Sequence, residues 1–359
     1  MGGFVCMKKI KVIILLISVL LASFSLPVLS SQSIDNLNKM NDTFSSELLH
    51  IQHDVPVWEK GDYWKYAIDD IDINCNNLQN SGDEFDIHLK LDDLTLQVNE
   101  VTDTYYDLNF NTMVDGRAII SIDSFEGFEF LIKFAELKPT QIVGNTLVRK
   151  SDLSIQEINV KLICVFKIKI TENPITPLIR FLFLNIPLEI SMNIGLNNPC
   201  AIFDFPLEPG KTWGFSSTNI SIAGTMSSRW LNMIHFVNRI CKLFNFGFIP
   251  TEFEGLLPII DFEDALDVMG RSNFFYFDDI PPILYCSEMT NMTLPFGTTP
   301  VYNVNINLYE FMEIFNMSYA PEVGNMVKLS VDAQSIFDIM EMPINMSAIN
   351  MELVETNYG

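Results

Sequence analysis

A glycine turn followed by alternating aromatic residues occurs twice in this chain and constrains its fold more than any other feature. The first copy is residues 59–66, Glu-Lys-Gly-Asp-Tyr-Trp-Lys-Tyr, and the second is residues 208–215, Glu-Pro-Gly-Lys-Thr-Trp-Gly-Phe. Glycine reaches the positive φ values of tight turns at little cost. After each glycine, large aromatic side chains take every second position, which is the period of a strand with one buried face. Each copy therefore predicts a turn that opens a β-strand.

A third, looser copy of the turn occupies residues 319–325, Tyr-Ala-Pro-Glu-Val-Gly-Asn, and an apolar run follows it. Gly61 and Gly210 are much further apart than the roughly 20–50 residues of a repeat array. Two interpretations stay open. Residues 57–204 and 205–359 are either two related halves, or one good strand-opening turn has been used independently in both.

Short runs of alternating apolar and polar residues recur from residue 64 to residue 170 and from residue 274 to residue 355. Such runs, bounded by Gly, Asn and Asp, are typical of antiparallel strands. Six prolines between residues 174 and 209 predict an irregular crossover. Two helices are predicted, residues 228–244 from an apolar stripe and residues 261–269 from an Asp cap and a following Gly.

Taken together, the three turn motifs resemble those of uncharacterised secreted proteins of archaea and bacteria. The motifs are Trp58-x-x-Gly61-x-x-Trp64, Phe205-Pro206-Leu207-x-x-Gly210-x-x-Trp213 and Tyr319-x-Pro321-x-x-Gly324. More distantly, the set is similar to LolA/LppX-like lipoprotein carriers, whose fold is a curved antiparallel half-barrel with helices on the concave face. We therefore expect a mainly β (α+β) fold: a large curved antiparallel sheet or half-barrel with a few helices. The resemblance carries over no functional residue, and the apolar ligand of the carriers is an analogy of fold alone.

Residues 1–30 have the pattern of a secretory signal peptide. Basic Lys8, Lys9 and Lys11 precede an apolar core at residues 12–21, and small residues follow near residue 30. Because the apolar run reaches residue 29, an uncleaved N-terminal anchor is the open alternative. Residues 31–56 are predicted to be a polar tether and residues 57–359 a single β-rich domain. We expect an extracellular or cell-surface protein whose contact with a membrane is limited to the N-terminal segment.

The charge of the chain excludes one large class of partner. It carries 22 basic and 45 acidic residues, a formal net charge of −23. Such a surface repels the phosphates of nucleic acids and of anionic lipids, so we expect no nucleic-acid binding. The 48% of hydrophobic residues are enough for a large core.

Patterns that would indicate a cofactor or a metal are incomplete. Residues 210–212, Gly-Lys-Thr, resemble the end of a phosphate-binding loop, but Phe205 stands where that loop needs glycine. Asp70, Asp72 and Asn74 match half of a calcium loop that lacks the required Gly and Glu. The alternation of Asp and Ile there is better explained by a strand with one solvated face. We expect no cofactor.

Histidines and carboxylate pairs give weaker signals. His50, His53 and Asp54 could bind a metal, but they fall in the predicted tether, where nothing holds them rigid. His88 and His235 have no neighbour in sequence that suggests a catalytic triad. Candidate carboxylate pairs for glycoside hydrolysis are Asp92–Asp93, Asp278–Asp279 and Glu252/Glu254.

The predicted helix at residues 228–244 is the main candidate for ligand binding. Its apolar stripe consists of Trp230, Ile234, Val237, Cys241 and Phe244. The helix either covers a cavity for an apolar ligand or packs as ordinary core on the concave side of the sheet. We expect a non-catalytic binding or structural module at the cell surface, with an apolar or lipid-like ligand as its most specific form. The alternative is a secreted hydrolase that uses paired carboxylates.

Export would also expose the chain to oxidation and glycosylation. Five cysteines follow the signal, and one disulfide involving Cys200, Cys241 or Cys286 is a prediction without a defined pairing. Candidate glycosylation sequons begin at Asn41, Asn219, Asn291, Asn316 and Asn345.

Overall fold

The computed structural model places the described part of the chain almost entirely in strands. It describes residues 54–76, 84–121, 134–169, 186–200, 203–214, 220–227, 260–261, 283–308, 312–332, 334–335, 338 and 344–359. Within these residues, 17 strands form one sheet, and neighbouring strands are antiparallel throughout. The predicted mainly antiparallel β fold is therefore confirmed.

The strands are named β1 to β17 in chain order. They are β1 Tyr63–Ile68, β2 Ile71–Asn76, β3 Glu84–Leu91, β4 Leu94–Val101, β5 Tyr105–Ser121, β6 Phe134–Arg149, β7 Ile155–Lys169, β8 Ile186–Cys200, β9 Thr212–Gly214, β10 Ile220–Ser227, β11 Ile260–Asp261, β12 Ile283–Leu294, β13 Gly297–Leu308, β14 Met312–Ala320, β15 Asn325–Val331, β16 Ile344–Met346 and β17 Ile349–Thr356.

Hydrogen-bond pairing places these strands in the order β9, β12, β13, β14, β15, β17, β1, β4, β5, β6, β7, β8, β10, β11. The sheet branches at β5, because the first part of β5 pairs with β4 and the second part with β3. β3 in turn pairs with β2, and β2 with β16. The ends of the main order are β9 and β11, so the sheet is open.

The chain connection between β9 and β10 requires the sheet to curve strongly. The two strands are separated by twelve steps in the pairing order, which would place them about 58 Å apart in a flat sheet. However, the chain runs from Gly214 to Ile220 in six residues, and six residues reach at most about 21 Å. The sheet therefore bends round on itself, as the predicted curved sheet requires.

The turns that the sequence predicted have the expected backbone. Gly61, Gly210 and Gly324 have φ of 100°, 81° and 65°. β1, β9 and β15 begin within two residues of these glycines. In β1 the side chains of Trp64 and Tyr66 are fully buried, so the predicted alternation of buried aromatic residues is confirmed there.

The first two turns also share their hydrogen bonds. The amide of Gly61 donates to Val98 O at 2.9 Å, and the amide of Gly210 donates to Cys286 O at 2.8 Å. In both cases the partner strand returns a bond, since the amide of Val98 donates to Asp62 O and the amide of Cys286 to Lys211 O. Both two related halves and independent use of one strand-opening turn would produce this likeness, so the two interpretations stay open.

All three turn motifs meet in one aromatic cluster, at the ends of neighbouring strands where β1 and β15 begin and β14 and β17 end. The indole of Trp58 donates to Gly324 O at 2.8 Å, and the indole of Trp64 donates to Val323 O at 2.9 Å. The rings of Trp58 and Trp64 are 5.0 Å apart. The second motif joins through Phe205, whose ring lies 5.6 Å from that of Tyr319. This motif cluster ties the first strand of the domain to its last turns.

The predicted irregular crossover is wrong for residues 186–200, which form β8. Pro187 and Pro199 lie near the two ends of this strand, where a missing backbone donor costs little. Between them, apolar residues alternate with polar ones. The buried positions are Leu188, Ile190, Met192, Ile194 and Leu196. Alternation over these residues outweighed the flanking prolines.

Candidate functional site

The candidate site is the inner face of β5 to β8, defined as the side on which their alternating buried residues lie. These strands have 15–17 residues, far more than the usual five or six. The buried apolar residues of this inner face include Leu108, Phe110, Val114, Ile142, Val160, Leu162, Cys164, Leu188, Ile190, Met192 and Ile194. Four adjacent strands thus present a continuous apolar surface about 15 Å wide.

The rows of this face run straight across the strands. Phe110 pairs with Gly144, Gly144 with Val160, and Val160 with Met192. A side chain at position 144 would collide with the ring of Phe110, because an ideal Cβ there lies 2.3 Å from Phe110 Cζ. The ring of Phe110 therefore fills the space that the glycine leaves.

The polar groups on the inner face are already satisfied. The hydroxyl of Thr112 donates to Asp92 O at 2.8 Å, and that of Thr146 donates to Glu157 O at 3.1 Å. Burial raises the pKa of the Cys164 thiol to about 12, so this thiol stays protonated at neutral pH and is a poor nucleophile. Among the side chains that the structure describes, this face offers dispersion and apolar contact and presents no charge to a ligand.

The inner face is buried, as the motif cluster is: its apolar residues range from 0% exposed at Leu108 to 9% at Ile190. Of the second predicted helix, residues 261–269, only the cap Asp261 is described, and it ends β11. The stripe predicted to bind a ligand, Trp230, Ile234, Val237, Cys241 and Phe244, lies outside the described residues. Its role therefore stays a prediction.

One predicted carboxylate pair, Asp92–Asp93, lies in the described residues, and its two members do not face each other across a cleft. Both are exposed in the turn between β3 and β4. Asp93 binds the ammonium of Lys65 at 2.9 Å, and Glu355 reaches the same Nζ at 4.0 Å. Asp93 and Glu355 are thus close enough for hydrolytic chemistry, but the Lys65 ammonium occupies the space between them. The pairs Asp278–Asp279 and Glu252/Glu254 lie outside the described residues.

Asp72 and Asn74, which match part of a calcium loop, lie in strand β2, as the alternation of Asp and Ile indicated. Ile71 and Ile73 are buried, while Asp72 is exposed and binds Nδ1 of His88 on β3 at 2.5 Å. Within the described residues, no group of three or more His, Cys, Asp or Glu side chains is arranged to hold a metal ion. Of the tether residues, Asp54 is described and exposed, whereas His50 and His53, like His235, lie outside the described residues.

We expect His88 to titrate at a higher pH than an ordinary histidine. The hydrogen bond and charge of Asp72 raise the pKa of His88. A raised pKa in the folded state stabilises the fold fully below the ordinary value near 6.5, and the contribution is lost as pH rises through the folded value. NMR titration of the His88 ring in the native protein and in Asp72→Asn measures this. Equal titration midpoints of His88 in the two proteins would contradict the interaction between His88 and Asp72.

The resemblance of residues 210–212 to a phosphate loop ends at the lysine. The ammonium of Lys211 donates to Pro206 O at 2.9 Å and to the carbonyl of Asp204, and it lies 3.1 Å from the Asp204 carboxylate. These contacts hold the loop that precedes Gly210. Because the Asp204 carboxylate neutralises the Lys211 ammonium, this lysine is not available to bind a phosphate.

Three of the five predicted glycosylation sites lie in the described residues. Asn291, Asn316 and Asn345 are exposed, and in the described part of the chain their amides make no side-chain hydrogen bond, so glycosylation there stays a prediction. Asn41 and Asn219 lie outside the described residues.

Cys286 is a free, buried thiol whose pKa burial raises to about 12, so the predicted disulfide does not involve it.

Among the residues that the structure describes, no helix is long and apolar enough to span a bilayer. Comparison of the chain with protein-family models, with curated proteins and with solved structures found no match.

Proposed function

We propose that this is an exported, non-catalytic binding module of the cell surface or extracellular space, and that it holds an apolar ligand against the inner face of β5 to β8. The observation that supports the proposal best is the continuous apolar surface across four unusually long strands. Because these residues are already buried, a ligand would gain chiefly from burying its own apolar surface among them, at about 25 cal/mol per Å².

The chemistry of the inner face narrows the ligand class. Its hydroxyls at Thr112 and Thr146 are taken up by backbone carbonyls, and its described side chains include no charged group that would hold a carboxylate or a phosphate. The ligand we infer is therefore a long neutral hydrocarbon or acyl chain. The distant similarity to lipoprotein carriers points in the same direction as an analogy of fold.

A matched pair of variants on β8 tests the proposal. Ile190 is buried on the inner face, and the next residue, Ser191, points to the outer face. Ile190→Trp adds bulk where the ligand would lie, whereas Ser191→Trp adds the same bulk on the other side of the strand. We expect Ile190→Trp to weaken binding of a fluorescent long-chain fatty-alcohol probe at least 10-fold, and Ser191→Trp to leave it within about 2-fold.

Circular dichroism and the thermal midpoint establish that both variants fold. Equal weakening by both folded variants, or no saturable binding by the native protein, would contradict an apolar site on this face.

A further inference from the structure

A row of asparagines crosses the outer face of the same long strands, on the side opposite the inner face. Asn109 of β5 pairs with Asn145 of β6, which pairs with Asn159 of β7, which pairs with Asn193 of β8. We name these four residues the amide row. Because neighbouring strands are about 4.8 Å apart, the row repeats an amide at that interval. Asparagine is depleted in strands, so four in consecutive register positions require a physical reason.

Two carboxylates hold the amide groups of the row in place. Nδ2 of Asn145 donates to Asp107 Oδ1 at 2.9 Å, and Nδ2 of Asn159 donates to Glu157 Oε1 at 3.0 Å. Nδ2 of Asn193 also donates to Glu157 and, at 2.7 Å, to Asn159 Oδ1. Three of the four amides, all except that of Asn109, are thus oriented by neighbouring side chains before any partner arrives, which lowers the cost of binding.

The orientation of the amides leaves hydrogen-bonding groups unused. Among the described residues, no donor reaches Oδ1 of Asn145 or of Asn193. Asn109 is exposed, and within the described strands its side chain makes no hydrogen bond. A ladder that served only the sheet would bond each amide to the next, but in this row only Asn193 and Asn159 are bonded to each other. These hydrogen-bonding groups are therefore available to a partner on the outer face.

The chemistry around the row selects a neutral, hydroxyl-rich partner. Amides both donate and accept without net charge, as sugar hydroxyls do. The half-buried Val143 and Leu147 flank Asn145 on the outer face and offer apolar contact to the C–H side of a sugar ring. Lys161, in the next row, is neutralised by Glu189 at 2.7 Å, so it offers no free charge to an anion. The two carboxylates and the net charge of −23 repel anionic polymers.

We propose that the amide row is a binding surface for a neutral polysaccharide. The row lies on the outer face, so this proposal does not depend on a ligand at the inner face. A surface of this kind suits an exported protein that stays associated with a glycan-rich cell exterior.

Native affinity electrophoresis of the full exported chain tests the row. The gels contain hydroxyethyl cellulose, laminarin, mannan or soluble starch, and a polygalacturonate gel supplies an anionic polymer. We expect at least one neutral polymer to retard the native protein and polygalacturonate not to retard it. Asn109→Ala and Asn145→Ala should each weaken that retardation about 5-fold, the share of one hydrogen-bonding amide.

Asn74→Ala is the matched control, because Asn74 is also a strand asparagine but lies on β2, away from the row. It should leave the retardation unchanged. Asn109→Ala removes no hydrogen bond among the described residues, so it tests the amide row even if Asn145→Ala does not fold. The proposal is overturned if none of the four neutral polymers retards the native protein, if polygalacturonate retards it as strongly, or if Asn109→Ala behaves like Asn74→Ala.

Discussion

Replacing Trp64 by alanine is expected to lower the free energy of unfolding by about 3–5 kcal/mol. Trp64 is fully buried, and its ring lies 5.0 Å from that of Trp58 and 5.8 Å from that of Tyr358. Its indole also donates to Val323 O, across 259 residues of chain. The substitution leaves a cavity where the start and the end of the domain meet. Urea unfolding followed by circular dichroism measures the loss.

Trp64→Phe separates the cavity from the hydrogen bond. It keeps most of the ring but removes the donor to Val323 O, so we expect a smaller loss of about 1–3 kcal/mol. If Trp64→Ala lowered the free energy of unfolding by less than about 1 kcal/mol, the motif cluster would not be the junction that we describe.

Replacing Gly144 by alanine is expected to destabilise the sheet by about 3 kcal/mol or more, at or above the usual range for overpacking. An ideal Cβ on Gly144 lies 2.0 Å from Asn159 O and 2.3 Å from Phe110 Cζ. The ring of Phe110 could move, but the carbonyl of Asn159 belongs to the backbone of β7. The pairing of β6 with β7 must therefore shift. The midpoint of thermal unfolding measures the effect.

Val143→Ala is the matched control for this substitution. Val143 precedes Gly144 on β6 and is half-buried on the outer face, so its truncation should cost about 1 kcal/mol or less. Equal thermal midpoints for Gly144→Ala and Val143→Ala would contradict the close packing on the inner face.

The local features of the fold could be predicted from the sequence because they depend on a few neighbouring residues. The positive φ of Gly61 and Gly210 follows from glycine in a tight turn, and the burial of Trp64 follows from a period of two. Antiparallel strands followed from the alternating runs between turn residues. The strand interpretation of Asp72 likewise followed from the buried isoleucines on either side.

Features that depend on strand pairing could not be predicted in this way. Nothing in the local sequence indicates that Trp64 reaches Val323, because that contact depends on the order of strands between them. The amide row is similar: Asn109, Asn145 and Asn159 are ordinary surface residues until the register places them side by side. For β8 a local signal exists, the alternation from Leu188 to Leu196, but the prolines on either side of it favour an irregular segment.

The position of the proposed site could not be predicted from the sequence, and its apolar ligand stays a prediction. The sequence indicated an apolar ligand and placed it at residues 228–244, which lie outside the described residues. The apolar surface that supports the proposal is on β5 to β8 instead. Its residues, such as Leu162 and Ile190, read as ordinary strand core, and the length of the strands that carry them became clear only from the pairing.

Native mass spectrometry of the protein purified from the culture medium is the most direct test of the central claim, that an exported protein holds an apolar ligand. We expect the mass of a polypeptide that begins near residue 31. We also expect a second species, heavier by the mass of a neutral lipid, which organic extraction removes. The Ile190→Trp variant should lack this lipid-bound species, and the Ser191→Trp variant should retain it. A protein retained in the cytoplasm, or an exported protein that carries no lipid and also fails to bind the fatty-alcohol probe, would contradict the claim.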